Sequence, residues 1–110
     1  MPYLIVTASW PSDKSDEVAK MYFEELKKYP PDDSLGTQVV PAAFSRTLQR
    51  IKAIVITEAK KGKFQDLLIR EVNALAMFRT IPGYEAQVDT YLTLEEALGT
   101  IGMSPPAELL

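Results

Sequence analysis

Three consecutive segments between Ile51 and Tyr91 limit what this chain can fold into. The apolar run Ile51-Lys-Ala-Ile-Val-Ile-Thr comes first. Next, Phe64, Leu67, Leu68, Val72, Leu75 and Ala76 recur at helical spacing, with the stem of Arg79 at the margin. Pro82-Gly83 then supplies a tight turn. After it, Tyr84, Ala86, Val88, Thr90 and Leu92 alternate with Glu85, Gln87, Asp89 and Tyr91. This is strand, helix, strand, at the lengths of one β-α-β unit. The first strand, extended to Ala59, is apolar on both parities and so belongs inside a sheet. The second alternates strictly, as an edge strand with one buried face does.

The first half of the chain repeats the plan. Tyr3 to Trp10 is also apolar on both parities, and Pro11 ends it. Ser12 or Asp13 is suited to cap a helix, and Asp16 and Glu17 suit its positive end. Val18, Ala19, Tyr22, Phe23, Leu26 and Tyr29 form the expected buried stripe, with Asp16–Lys20 and Glu24–Lys28 as i,i+4 pairs on the wet side. Pro30-Pro31 stops the helix. A strand over residues 37–48 carries Pro41, which places it at an edge or in a bulge because proline cannot donate to the ladder. Thr93 and Glu96 form a capping box before a short helix. The expectation is one domain over residues 1–102 and a loose or partner-docked tail over 103–110.

The element order is therefore β-α-β-β-α-β: an α+β fold with a four-stranded antiparallel sheet, strands one and three central, in the ferredoxin-like plan, plus the short C-terminal helix. Two helices cover one face of such a sheet. Strand parity assigns Ile51, Ala53, Val55, Ala86 and Val88 to the covered side. Lys52, Ile54, Ile56, Glu58, Glu85, Gln87, Asp89 and Tyr91 then fall on the open side. Strand one adds either Ile5 and Thr7 or Leu4 and Val6 to it. Ile54 and Ile56 at the centre of a wet face are out of place in a monomer, and a second sheet stacked on them removes the anomaly.

In element order, length and pattern, from Tyr3 to about Ile101, the chain resembles the dimeric α/β-barrel superfamily. The resemblance implies a homodimer with sheet stacked on sheet, and a cavity between sheet and helices or between subunits. Members of that family include cofactor-independent monooxygenases, lactone isomerases, small cyclases, haem enzymes and ligand-sensing modules. Their functional residues, commonly histidine, have no counterpart here, which disfavours the haem branch. Trimeric ferredoxin-like signalling proteins are the competing assembly, but no glycine-rich phosphate cradle is visible.

Composition narrows the chemistry. Histidine and cysteine are both absent. That removes the usual base near neutral pH, the Ser-His-Asp and Cys-His systems, disulfides, and imidazole or thiolate metal ligands. No cofactor is expected. The net charge of −3 argues against nucleic acid or an anionic membrane as partner. No secretory signal or long apolar span is visible, so a cytoplasmic location is expected.

Four groups of residues are candidates for function. On the open face, Glu58 or Asp89 could act as a base with Tyr91 as hydrogen-bond donor, and Lys52 and Arg46 could hold a ligand; the plainer reading is cross-strand ion pairs at an interface rim. Trp10, where strand one ends, is the best pocket candidate among the aromatic residues, against plain core packing. Lys60-Lys-Gly-Lys63 could hold an anion but reads more simply as a solvated turn. Asp32-Asp33 reads as a loop with an Asx turn. Together these features point to a homo-oligomer that binds or senses a small ligand. The alternatives are a cofactor-independent monooxygenase, isomerase or cyclase acting on an aromatic or lactone-like substrate, and a structural dimerisation module.

Overall fold

Strand β1 (Tyr3–Pro11) runs through the interior of the sheet and buries every second side chain: Leu4, Val6, Ala8 and Trp10. The computed structural model describes residues 1–107; the last three residues of the tail expected at 103–110 lie outside the described residues. After β1 come a 3-10 turn (Ser12–Lys14), α1 (Ser15–Lys28), β2 (Gly36–Arg46), β3 (Arg50–Ala59), α2 (Phe64–Ala76), β4 (Glu85–Tyr91) and α3 (Leu94–Gly99). The four strands form one antiparallel sheet in the order β2-β3-β1-β4. The two runs apolar on both parities are the central strands, and the proline-bearing and strictly alternating runs are the edges.

Register decides which residues share a face. Leu4, Val6, Ala8 and Trp10 stand opposite Thr57, Val55, Ala53 and Ile51 on one side. The first three of them stand opposite Thr90, Val88 and Ala86 on the other. This is the covered face. Ala8 and Trp10 pack with Val18 of α1 and with Phe78 and Ile81, which lie beyond the end of α2. Leu4 and Ala59 pack with Leu67 of α2. Strand one therefore contributes Ile5 and Thr7 to the open face, which its own sequence left undecided.

Pro41 has the effect expected of a proline in a strand. Register shifts fall between Gln38 and Val40 and between Val40 and Ala43, so β2 carries extra residues on either side of Val40, next to the proline. One expectation is corrected here. Arg46 pairs with Ile51 and so takes the parity of the covered face rather than the open one. The two bulges cancel one another's change of parity, so Arg46 shares the face of Gln38; its side is set by the hairpin register, in which the Thr47–Arg50 turn places it opposite Ile51.

Helix α1 also differs from expectation. Val18 is buried, Met21 packs on the core, and Glu25 and Tyr29 are half-buried, while Phe23 faces solvent and Ala19, though exposed, borders the open space over the sheet. The helix is rotated so that the stripe Val18, Met21, Glu25, Tyr29 faces the sheet. It starts after the 3-10 turn with no side-chain cap, and its exposed ion pairs are Lys14–Glu17 and Glu24–Lys27 rather than the i,i+4 pairs expected. By contrast, α3 has the full capping box: Glu96 N–H donates to Thr93 Oγ1 and Thr93 N–H to Glu96 Oε1. At the turn before β4, Gly83 has φ +77°, and a Cβ there would lie 2.6 Å from Pro11, so only glycine fits. No helix among the described residues is long and apolar enough to cross a membrane.

Candidate functional site

Because α1 and α2 are held against β1 and β3, the space over β2 is left partly unfilled. Two abutting cavities of about 390 and about 380 Å³ lie there, sharing Tyr22, Glu25, Pro41, Val55 and Glu71 in their walls. Together they make one cleft between the helices and the covered face of the sheet. The volumes fall in the range of small-molecule sites.

The second cavity is the apolar end. Val6, Ala8 and Ala53 form its floor, Phe44 of β2 stands at its side, and Trp10, Phe78 and Tyr84 form an aromatic wall. That wall is fixed. Tyr84 stacks on Trp10 with centroids 5.9 Å apart and on Phe78 at 4.9 Å. Trp10 Nε1–H donates to Ser15 Oγ at 3.2 Å, and Ser15 Oγ–H donates to the Ser12 carbonyl at 3.0 Å. The buried indole thus has the partner it requires, supplied by the first residue of α1.

The first cavity is the polar end. Asp32, Asp33, Thr37, Gln38 and Arg70 join Glu25 and Glu71 in its lining. Burial pushes the Glu25 carboxyl up to about 7, the nearby Glu71 carboxylate pushes in the same direction, and Arg70 offsets part of the effect. Burial also raises Glu71, again against Arg70. Among the described residues neither glutamate forms a salt bridge. The Arg70 guanidinium is engaged elsewhere, donating to the Pro30 carbonyl and lying 5.8 Å from the centre of the Tyr29 ring. Burial, followed by the charge of Glu25, raises the Tyr84 phenol to about 12 and keeps it a neutral donor. A carboxyl group poised near neutrality beside a fixed aromatic wall can hold or exchange a proton, or meet a cation.

Of the residues singled out from the sequence, Trp10 lines the apolar end of this cleft and Asp32 and Asp33 line its polar end. The structure places Glu58, Asp89, Tyr91 and Lys52 on the opposite, open face, by register with Tyr3, Ile5, Tyr3 and Ser9 of β1 respectively. It brings Glu58 and Tyr91 to either side of Tyr3. Asp89 is half-buried and accepts a hydrogen bond from Gln87 Nε2 at 2.9 Å. Lys52 and Tyr91 are exposed, and Arg46 lies at the exposed end of the β2–β3 hairpin. Lys60 to Lys63 forms an exposed turn with Gly62 at φ +75°. Asp32 makes the expected Asx turn, accepting from Ser34 N–H at 3.0 Å. Among the described residues no group of three or more acidic, histidine or cysteine side chains is placed to hold a metal.

Glu25 and Glu71 were not anticipated, yet a signal for both exists. Glu25 lies three residues after Tyr22 and four before Tyr29; Glu71 lies four after Leu67 and four before Leu75. Each is an acid at an inward position of an amphipathic helix. No protein-family model, no curated protein and no solved structure matches the chain.

Proposed function

We propose that the protein binds a small, largely apolar molecule in the cleft between its helices and its sheet. The carrying observation is the pairing of a fixed aromatic wall, Trp10–Tyr84–Phe78, with two half-buried glutamates across a cavity of about 380 Å³. A void of this size beside charged groups is a poor choice for stability alone, since it forgoes packing contacts and desolvates carboxylates. Trp10 is the chain's single tryptophan, so its fluorescence reports on occupancy. Titration with Nile red, a neutral apolar dye, is expected to shift Trp10 emission and raise dye fluorescence. Val55→Trp, which fills the shared wall, is expected to abolish both signals. Absence of binding to the native chain, or equal binding by a folded Val55→Trp variant, would rule the reading out.

We further propose that the working unit is a homodimer of the dimeric α/β-barrel kind, joined through the open faces of two sheets. Three half-buried isoleucines support it: Ile5 and Ile56 stand directly opposite one another, with Ile54 beside them on β3. The arrangement along β3 is also self-complementary. Lys52, Ile54, Ile56 and Glu58 share the open face, so a twofold axis lying across the strands sets Lys52 of one copy over Glu58 of the other and Ile54 over Ile56. In this reading Asp89, Tyr91 and Gln87 line the interface. A clean monomer by light scattering at micromolar concentration would refute it.

A further inference from the structure

We infer that the occupant of the cleft is an organic amine, its apolar body against Trp10, Phe78 and Phe44 and its ammonium group between the Glu25 and Glu71 carboxylates. This rests on the proposal that the cleft binds a small ligand, and it specifies the ligand's chemistry.

The geometry separates two functions along one cavity. The apolar end offers aromatic rings and small side chains, suited to a hydrocarbon or aromatic body. The polar end offers four carboxylates, Glu25, Glu71, Asp32 and Asp33, against the single guanidinium of Arg70. That guanidinium is directed at the Pro30 carbonyl and the Tyr29 ring. No lysine lines either cavity. An anionic ligand would be repelled. A neutral one would leave two partly desolvated glutamates with only the shared and otherwise engaged charge of Arg70 to offset them, an expensive arrangement. An ammonium ion supplies the missing charge and donates up to three hydrogen bonds.

The site also has a built-in pH response. The charged and titratable groups facing Glu25 are Tyr22 and Tyr29 at the ends of its own stretch of chain, Arg70 and Glu71 on α2, Tyr84 before β4, and Asp32 and Asp33 in the loop after α1; β2 and β3 add only neutral polar groups, among them Thr37, Gln38 and Thr57. Ser34 holds Asp32 below the usual carboxylate range through side-chain and backbone hydrogen bonds, so Asp32 stays charged. Glu25, with its carboxyl raised to about 7, changes charge near neutrality, and burial raises its neighbour Glu71 in the same direction. An alkylammonium stays charged across that range. Its binding therefore strengthens as pH rises through about 7 and expels a proton from Glu25.

The test titrates the full chain with 2-phenylethylamine, 2-phenylethanol and 3-phenylpropionate at about pH 8, reading Trp10 emission and heat. The amine is expected to bind about tenfold or more tightly than the alcohol, with the carboxylate weakest. The Glu25→Gln, Glu71→Gln double variant, checked for fold by circular dichroism, is expected to remove the amine's advantage over the alcohol, and a retained advantage overturns the assignment. Should that variant not fold, comparison of the native chain at about pH 6 and about pH 8 decides by itself: amine affinity rises, alcohol affinity does not. Equal affinity for amine and alcohol overturns the amine assignment while leaving the ligand-binding reading intact, and so does an amine affinity indifferent to pH. Failure of all three compounds and of Nile red to bind overturns both.

Discussion

The two faces of the sheet carry opposite anomalies. The face that helices cover should be uniformly apolar, yet Glu25 and Glu71 point toward it and a cleft remains over β2. The face that nothing in the chain covers should be polar, yet Ile5, Ile54 and Ile56 cluster at its centre. A chain selected only to fold would have distributed these residues the other way round, because burying carboxylates and wetting isoleucines both cost stability. The contrast teaches that each face carries residues the chain itself does not satisfy, and the two proposals answer them separately: a ligand on one side, a second sheet on the other.

The largest expected effect breaks the contrast on the open side. Ile56→Asp should convert the proposed dimer to monomer, since each copy would bury an unpaired carboxylate at the interface centre; light scattering across a concentration series checks it. Next come two neighbours on β1 that point to opposite faces. Leu4, 1% exposed, belongs to the monomer's own core. Leu4→Ala should lower unfolding stability by about 2–5 kcal/mol at any protein concentration. Ile5→Ala should cost little at high dilution and more as concentration rises, because its burial is linked to association. Chemical denaturation at two protein concentrations separates the pair.

Smaller effects sharpen the picture on the covered side. The raised carboxyl of Glu25 means the folded state holds a proton that the unfolded state releases between its ordinary value near 4.5 and about 7. Stability from this group is therefore present below about pH 4.5 and declines as pH rises through 7. Glu25→Gln should remove that decline. At about pH 8 it should stabilise the fold by roughly 1–2 kcal/mol, a value reduced from full desolvation because the half-open cleft screens the charge. At about pH 4 the variant and native chain should unfold alike. The smallest expected change is Asp89→Asn. Asp89 lies on the open face, away from the cleft, so amine and Nile red affinities should stay within about twofold of native. A large loss of ligand binding in that variant would join the two faces functionally and end the division drawn between them.

Much of this architecture was legible in the sequence, for local reasons. Runs apolar on both parities, such as Tyr3–Trp10 and Ile51–Ala59, can be satisfied only inside a sheet covered on at least one face. Pro41 forces irregularity wherever a ladder donor is needed. Thr93 and Glu96 cap a helix through contacts between residues three apart. The site was far less legible. Charged residues on strands drew attention to Glu58, Asp89 and Lys52, whereas the acids beside the cleft sit on helices, hidden among ordinary wet-face glutamates. Whether Glu25 faces in or out depends on the rotation of α1, and the apolar residue Phe23 suggested a rotation that packing of Val18 on Trp10 and Ala8 overrode.

By itself, then, the sequence determined the elements, their order, the central and edge strands, and the exclusion of histidine and cysteine chemistry. These depend on periodicity, turn residues and composition, all of which act over a few residues. Only the tertiary structure decided which parity of β1 is buried, which residue of β3 stands opposite Arg46, and that Glu25, Glu71 and Trp10 share one cavity. Those outcomes come from register and helix rotation. Both are set by contacts between residues far apart in the chain, where a shift of a single residue exchanges inside for outside.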